Sequence, residues 1–131
     1  MHTVIAILLL LTAVVTVAYW IDFFVRGSVN VVEDEWYIKF ERSFPPADGF
    51  MSASCAVAGV GLLVDAAYGV AFALVAGGAL IFLGLMDVTF NVENSLYRFV
   101  RTSGPMRAEL VINLWSLGLG AALLVTMLPE V

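Results

Sequence analysis

Histidine is almost missing from this chain: His2 is the only one, and it lies at the very start. Without an internal imidazole there is no basis for a histidine-built zinc site, a Ser-His-Asp triad or a histidine proton relay. A single cysteine, Cys55, rules out a disulfide within the chain, and its place inside an apolar run makes it a small packing residue. Runs rich in proline or serine, or in charge of one sign, are absent, so nothing marks a linker or tail. No catalytic or cofactor-binding signature is present, and no cofactor is expected. Charge is scarce too, at 13% of residues.

What remains is apolar. At 131 residues and 62% hydrophobic, with a mean hydropathy of +1.00, the chain has more apolar side chain than a domain of its size can bury, so the excess is expected to meet lipid. Four runs approach the roughly 20 residues that a membrane-crossing helix requires: 3–25, 47–64, 66–90 and 108–128. The expected fold is an all-α, integral membrane four-helix bundle forming a single domain over 1–131. The small residues ending at Ala18 suggest a secretory signal, but the run lacks a basic segment before it and exceeds a usual signal core, so it is read as a retained helix.

The basic residues set an expected orientation. Arg26, Lys39, Arg42, Arg98, Arg101 and Arg107 all fall in the first and third connections, which the positive-inside rule places in the cytoplasm, with both termini outside. Nine of the eleven acids lie at or just within that same face, which favours a cationic or zwitterionic partner over nucleic acid.

Sliding the chain along itself by 61 residues pairs Asn30-Val31 with Asn91-Val92, Ala47-Asp48 with Ala108-Glu109, Gly59 with Gly120, and Leu62-Leu63-Val64 with Leu123-Leu124-Val125. Ser52 falls on Asn113 and Cys55 on Ser116. Two parallel-repeat hairpins related by an axis along the membrane normal would give such a pattern.

At helical spacing the first span offers Thr12, Thr16, Tyr19 and Asp22 or Phe23; the second Asp48, Ser52, Cys55 and Gly59; the third Gly77, Gly84, Asp87, Asn91 and Asn94; the fourth Glu109, Asn113, Ser116 and Gly120. Turned inward, these stripes form a dry, glycine-packed outer half and a polar vestibule toward the cytoplasm. Asp87 is the most informative member, because an ionisable group at the inner end of so long an apolar run is costly unless it faces a partner, a cavity or a site. The expected ligand-binding set is Asp87, Asn91 and Asn113, with Asp22 and Glu109 at the rim and Ser52 and Ser116 beside them.

Structural roles stand beside these. Asp22 precedes Arg26 by one helical turn, the spacing of a local ion pair. Asp48 and Glu109 follow Pro45-Pro46 and Pro105 closely, where carboxylates complement the positive end of a helix. The glycines most simply permit close helix contact, with Gly59 and Gly120 sharing a crossing point. Such faces also predict a homo-oligomer, most simply a dimer, and a Gly84→Leu change that weakens the bundle or the dimer.

The first connection carries Val32, Trp36, Phe40 and Phe44 at four-residue spacing, with Glu33, Asp34, Glu35, Lys39, Glu41 and Arg42 on the other faces. This predicts an amphipathic interfacial helix over 31–43, either an anchor or a lid on the vestibule. Trp36 and Tyr37, with Trp20 and Tyr97, would form an inner aromatic belt.

The first third of the chain is similar to the sterol-isomerase and sigma-2-receptor group of four-helix membrane proteins, in which an acid ends the first helix and a long aromatic loop follows, as with Asp22 and Trp36-Tyr37. The acid spacing departs from that group's, and the inferred orientation is opposite. The resemblance implies a ligand-binding bundle; a lipid-modifying enzyme, in which two carboxylates of a semi-polar pocket do acid and base work, is a further alternative.

Two other function classes are carried by the residues themselves. One is a vestibule that binds or conducts a cation, a proton or a polar lipid or small ligand. The other is a structural or accessory subunit of a membrane complex, its acids serving only to pair with arginines and cap helices.

Overall fold

The computed structural model describes residues 1–131 and is all-helical, with no strand. Its elements are α1 (His2–Val25), α2 (Glu35–Glu41), α3 (Phe44–Leu63), α4 (Ala67–Glu93) and α5 (Gly104–Met127), with short 3-10 turns at Leu96–Phe99 and Leu128–Glu130. Four helices, α1, the continuous α2–α3 stretch, α4 and α5 with its terminal turn, are long and apolar enough to cross a membrane.

Local chemistry sets the helix ends. No glycine or proline interrupts α1, which stops where Gly27 takes a positive φ of 69° and its N–H returns to the Asp22 carbonyl. Pro45 and Pro46 start α3 earlier than the apolar run suggests, because proline fits the first helical turn, where its missing N–H costs nothing. Ser103 caps α5 by accepting the Met106 N–H at 3.2 Å, with Pro105 in the first turn.

The helices pack in chain order: α1 on α3, α3 on α4, α4 on α5. Between α1 and α5 there is no comparable packed face. That seam is bridged by Trp115 Nε1 donating to Thr12 Oγ1 at 2.9 Å and, at the terminal end, by His2 Nε2 lying 2.8 Å from Glu130 Oε2.

Small residues set the close approaches. A Cβ added at Gly69 would stand 2.6 Å from the Leu62 nitrogen, and one at Gly61 would stand 2.6 Å from the Gly69 Cα, so α3 and α4 touch backbone to backbone at their hairpin. Gly59 packs against Leu10 and Ala6 of α1, whereas Gly120 packs against Gly77 and Ile81 of α4. The shared Gly59–Gly120 crossing is therefore not formed; each glycine serves a different pair. Gly84 faces Leu117 and Ser116 of α5, inside the bundle, so a leucine there would strain α4 against α5 and would not report on a dimer.

Burial recurs between the two hairpins. Ile5, Ala6, Leu9 and Thr12 on α1 match Ala76, Gly77, Leu80 and Leu83 on α4, and Ser52, Ala58, Gly59 and Leu62 on α3 match Asn113, Leu119, Gly120 and Leu123 on α5. The second correspondence is the one in the ungapped sequence alignment. The first has a different offset, because the connection holding α2 is longer than the one between α4 and α5.

At the end carrying the basic residues, Tyr37, Leu96 and Met106 form a second, smaller core. Helix α2 is shorter than the expected 31–43 segment, and it is rolled so that Phe40 stacks on Phe90 at 3.6 Å with an 8° interplanar angle. The adjoining side of α2 buries Tyr37 and Glu41.

Candidate functional site

A cavity of about 250 Å³ lies in the half of the bundle next to α2. Thr12, Thr16, Tyr19 and Trp20 of α1 line it at helical spacing, faced by Asp48 and Met51 of α3, Leu80, Leu83, Gly84 and Asp87 of α4, and Glu109, Ile112, Asn113 and Ser116 of α5. Its walls are mainly apolar, and its acids come from α2, α3, α4 and α5. The lip carries the exposed side chains Leu11 and Val15 on α1 and Val111 and Trp115 on α5, so the cavity opens sideways through the α1–α5 seam. At the expected inner mouth lies α2, whose Glu41 lines the cavity.

Three carboxylates meet beneath α2. Each of Glu41, Asp87 and Glu109 offers an oxygen, and no two of these oxygens are more than 4.8 Å apart. Two neighbours fix Glu109: Asn91 Nδ2 donates to Oε1 at 2.7 Å, and the Tyr37 hydroxyl donates to Oε2 at 3.3 Å. Tyr37 in turn accepts the Val31 N–H at 3.3 Å. Glu41 is only 4% exposed, and its Oε1 has no hydrogen-bond partner. A fourth acid, Asp48, accepts from Trp20 Nε1 at 2.7 Å.

No cation of the protein answers these charges. The ion pairs are His2–Glu130 and the exposed Lys39–Glu35, both away from the cluster. Arg107 donates to the Val100 and Arg101 carbonyls, and Arg98 lies over the Phe99 ring at 4.7 Å. Asp87 thus has no arginine companion. Excess negative charge in a mainly apolar cavity is costly unless something positive accompanies it or protons neutralise it.

The expected site residues separate as follows. Asp87, Glu109, Asn113 and Ser116 line the cavity. Asn113 donates to the Tyr97 hydroxyl at 2.7 Å, while Asn91 stands behind Glu109 as its support and does not line the cavity. Ser52 is buried with an unbonded hydroxyl and lies in a separate shallow groove between α1 and α3. Asp22 is not at the rim: both its oxygens accept from the Ser28 hydroxyl, at 2.6 and 2.7 Å, and the expected Asp22–Arg26 ion pair is absent. Asn94 turns back onto the Phe90 carbonyl.

The helix-end role expected for Asp48 and Glu109 also fails, because neither lies in the first turn of its helix. Glu41 is the residue that sequence reasoning missed. The available signal was its position one turn after Tyr37, which puts both side chains on one face. No family model, curated protein or solved structure matches this chain.

Proposed function

We propose that this chain is a multi-pass membrane protein that binds a small, positively charged ligand at the acidic end of its cavity. The carrying observation is the meeting of Glu41, Asp87 and Glu109 with no basic side chain beside them. The apolar outward faces of the four long helices support membrane insertion, since residues such as Val14 at 67% exposure and Phe82 at 63% would be poor partners for water. A ligand would enter from the membrane side, between α1 and α5, and present its positive charge to the carboxylates. The accessory-subunit alternative loses its main support, because the acids neither pair with arginines nor cap helices. The matched burial of the two hairpins supports a parallel repeat with a pseudo-two-fold axis along the membrane normal.

The orientation belongs to the same reading, with both termini outside and the ends bearing α2 and Leu96–Phe99 in the cytoplasm. A reporter active only outside the cytoplasm, fused after Val131, should be active, and one active only inside should be silent; the reverse pattern would invert the assignment. A homodimer is part of the proposal too, and Gly118, which has open space around it, is its available close-approach position.

Purification in native lipid followed by mass spectrometry tests the binding itself. A stoichiometric cation or amine should accompany the wild type and be lost from Asp87→Asn at unchanged size and helicity. If Asp87→Asn instead unfolds and is rescued by neutralising Arg98, Arg101 or Arg107, Asp87 is a structural ion-pair member and the binding reading fails.

A further inference from the structure

We propose that Glu41, Asp87 and Glu109 hold one divalent metal ion of the hard, oxygen-seeking class. This rests on the cation-binding reading above and narrows it. Three oxygens mutually within 4.8 Å share a point no farther than about 2.8 Å from each, and small side-chain shifts would reach the roughly 2.0–2.6 Å of magnesium, manganese or calcium coordination.

The buried Glu41 carboxylate supplies an independent sign. Its Oε1 is one of four buried side-chain oxygens without a donor, and the only carboxylate oxygen among them, although Glu41 is 96% removed from solvent. A metal ion among the three carboxylates would meet that need. Charge selects the valence: a monovalent ion leaves two of three carboxylate charges unmatched, and a divalent ion leaves one, a difference that weighs heavily where water is scarce. Donor type selects the metal class. All three ligands are carboxylates, with neither histidine nor thiolate among them, which suits magnesium, manganese or calcium over softer ions.

The surroundings suit such a centre. Asn91 and Tyr37 each hold one Glu109 oxygen, the kind of outer support that orients ligating carboxylates. The three ligands come from α2, α4 and α5, so the ion would pin α2 to the bundle. Coordination positions not filled by protein would face the cavity and could take water or an oxygen of a bound molecule.

The test uses the full chain in detergent after chelator treatment. Free Mn²⁺ followed by electron paramagnetic resonance should show one saturable site per protomer, displaced by Ca²⁺ or Mg²⁺ and not by K⁺. Asp87→Asn and Glu41→Gln should each weaken Mn²⁺ binding by roughly tenfold or more, since loss of an outer support alone costs about that much. Size-exclusion elution and helicity of wild-type character confirm that these near-isosteric variants fold. Hexylammonium, followed by its effect on melting temperature, is the companion probe. Hexylammonium binding without Mn²⁺ binding would overturn the metal assignment and leave the cationic-ligand reading standing. Binding of neither would overturn both. Undiminished Mn²⁺ binding by both variants would place the ion elsewhere and overturn the site.

Discussion

Gly69→Ala should lower the stability of the protein by about 3 kcal/mol or more, a large loss for one methyl group. The added Cβ would stand 2.6 Å from the Leu62 nitrogen and 2.7 Å from the Gly61 carbonyl carbon, and backbone atoms cannot swing aside as a side-chain tip can. Relief requires α3 and α4 to separate at their hairpin. Gly78→Ala, nine residues along the same helix, is the matched control. A Cβ there meets nothing within 4 Å, and alanine favours helix over glycine by about 1 kcal/mol, so this variant should melt at or above the wild-type temperature. Thermal unfolding in mild detergent separates the two. Equal melting temperatures would mean that α3 and α4 do not touch at Gly61 and Gly69.

A second pair of substitutions, one turn apart on α2, should move stability in opposite directions. In chelator-treated protein, Glu41→Met should raise stability by about 1–4 kcal/mol, the range seen when buried charges give way to apolar groups of similar size. It removes a carboxylate that is 4% exposed, lacks a partner at Oε1 and faces two like charges. Tyr37→Phe should cost about 1–3 kcal/mol, because it strips the Val31 N–H of its acceptor and Glu109 Oε2 of its donor in a buried setting. Parallel losses in both variants, read from denaturation midpoints, would make Glu41 a structural residue of α2. The opposite signs would mark it as a residue retained at a cost to the fold, which is the pattern of a binding group.

The four long helices were legible because each is a long apolar run whose ends carry proline, glycine or charge. Asp87, Glu109, Asn113 and Ser116 were legible as cavity residues because they punctuate those runs at helical spacing. Glu41 was hidden by the rule that found α2: its charged residues were assigned together to the polar side, whereas the stacking of Phe40 on Phe90 rolls the helix and carries Tyr37 and Glu41 inward. That rotation depends on a contact some fifty residues away in sequence, which local periodicity does not contain. Asp22 misled for a related reason. Its spacing to Arg26 is right for an ion pair, but the chain leaves the helix at Gly27 and brings the Ser28 hydroxyl onto the carboxylate first.

The order in which the helices touch bears on how the chain acquires its shape. Each large interface joins helices that are consecutive among the four long ones, so every new helix can dock on the one before it, with no need for a later segment. The single exception is the α1–α5 seam, whose two ends lie 103 residues apart at the Trp115–Thr12 bond. A nascent chain stopped before Gly104 would already have the surfaces that join α1 to α3 and α3 to α4, yet it would lack Glu109 and one whole wall of the cavity. The cavity and its three-carboxylate cluster are thus complete only once α5 has been made.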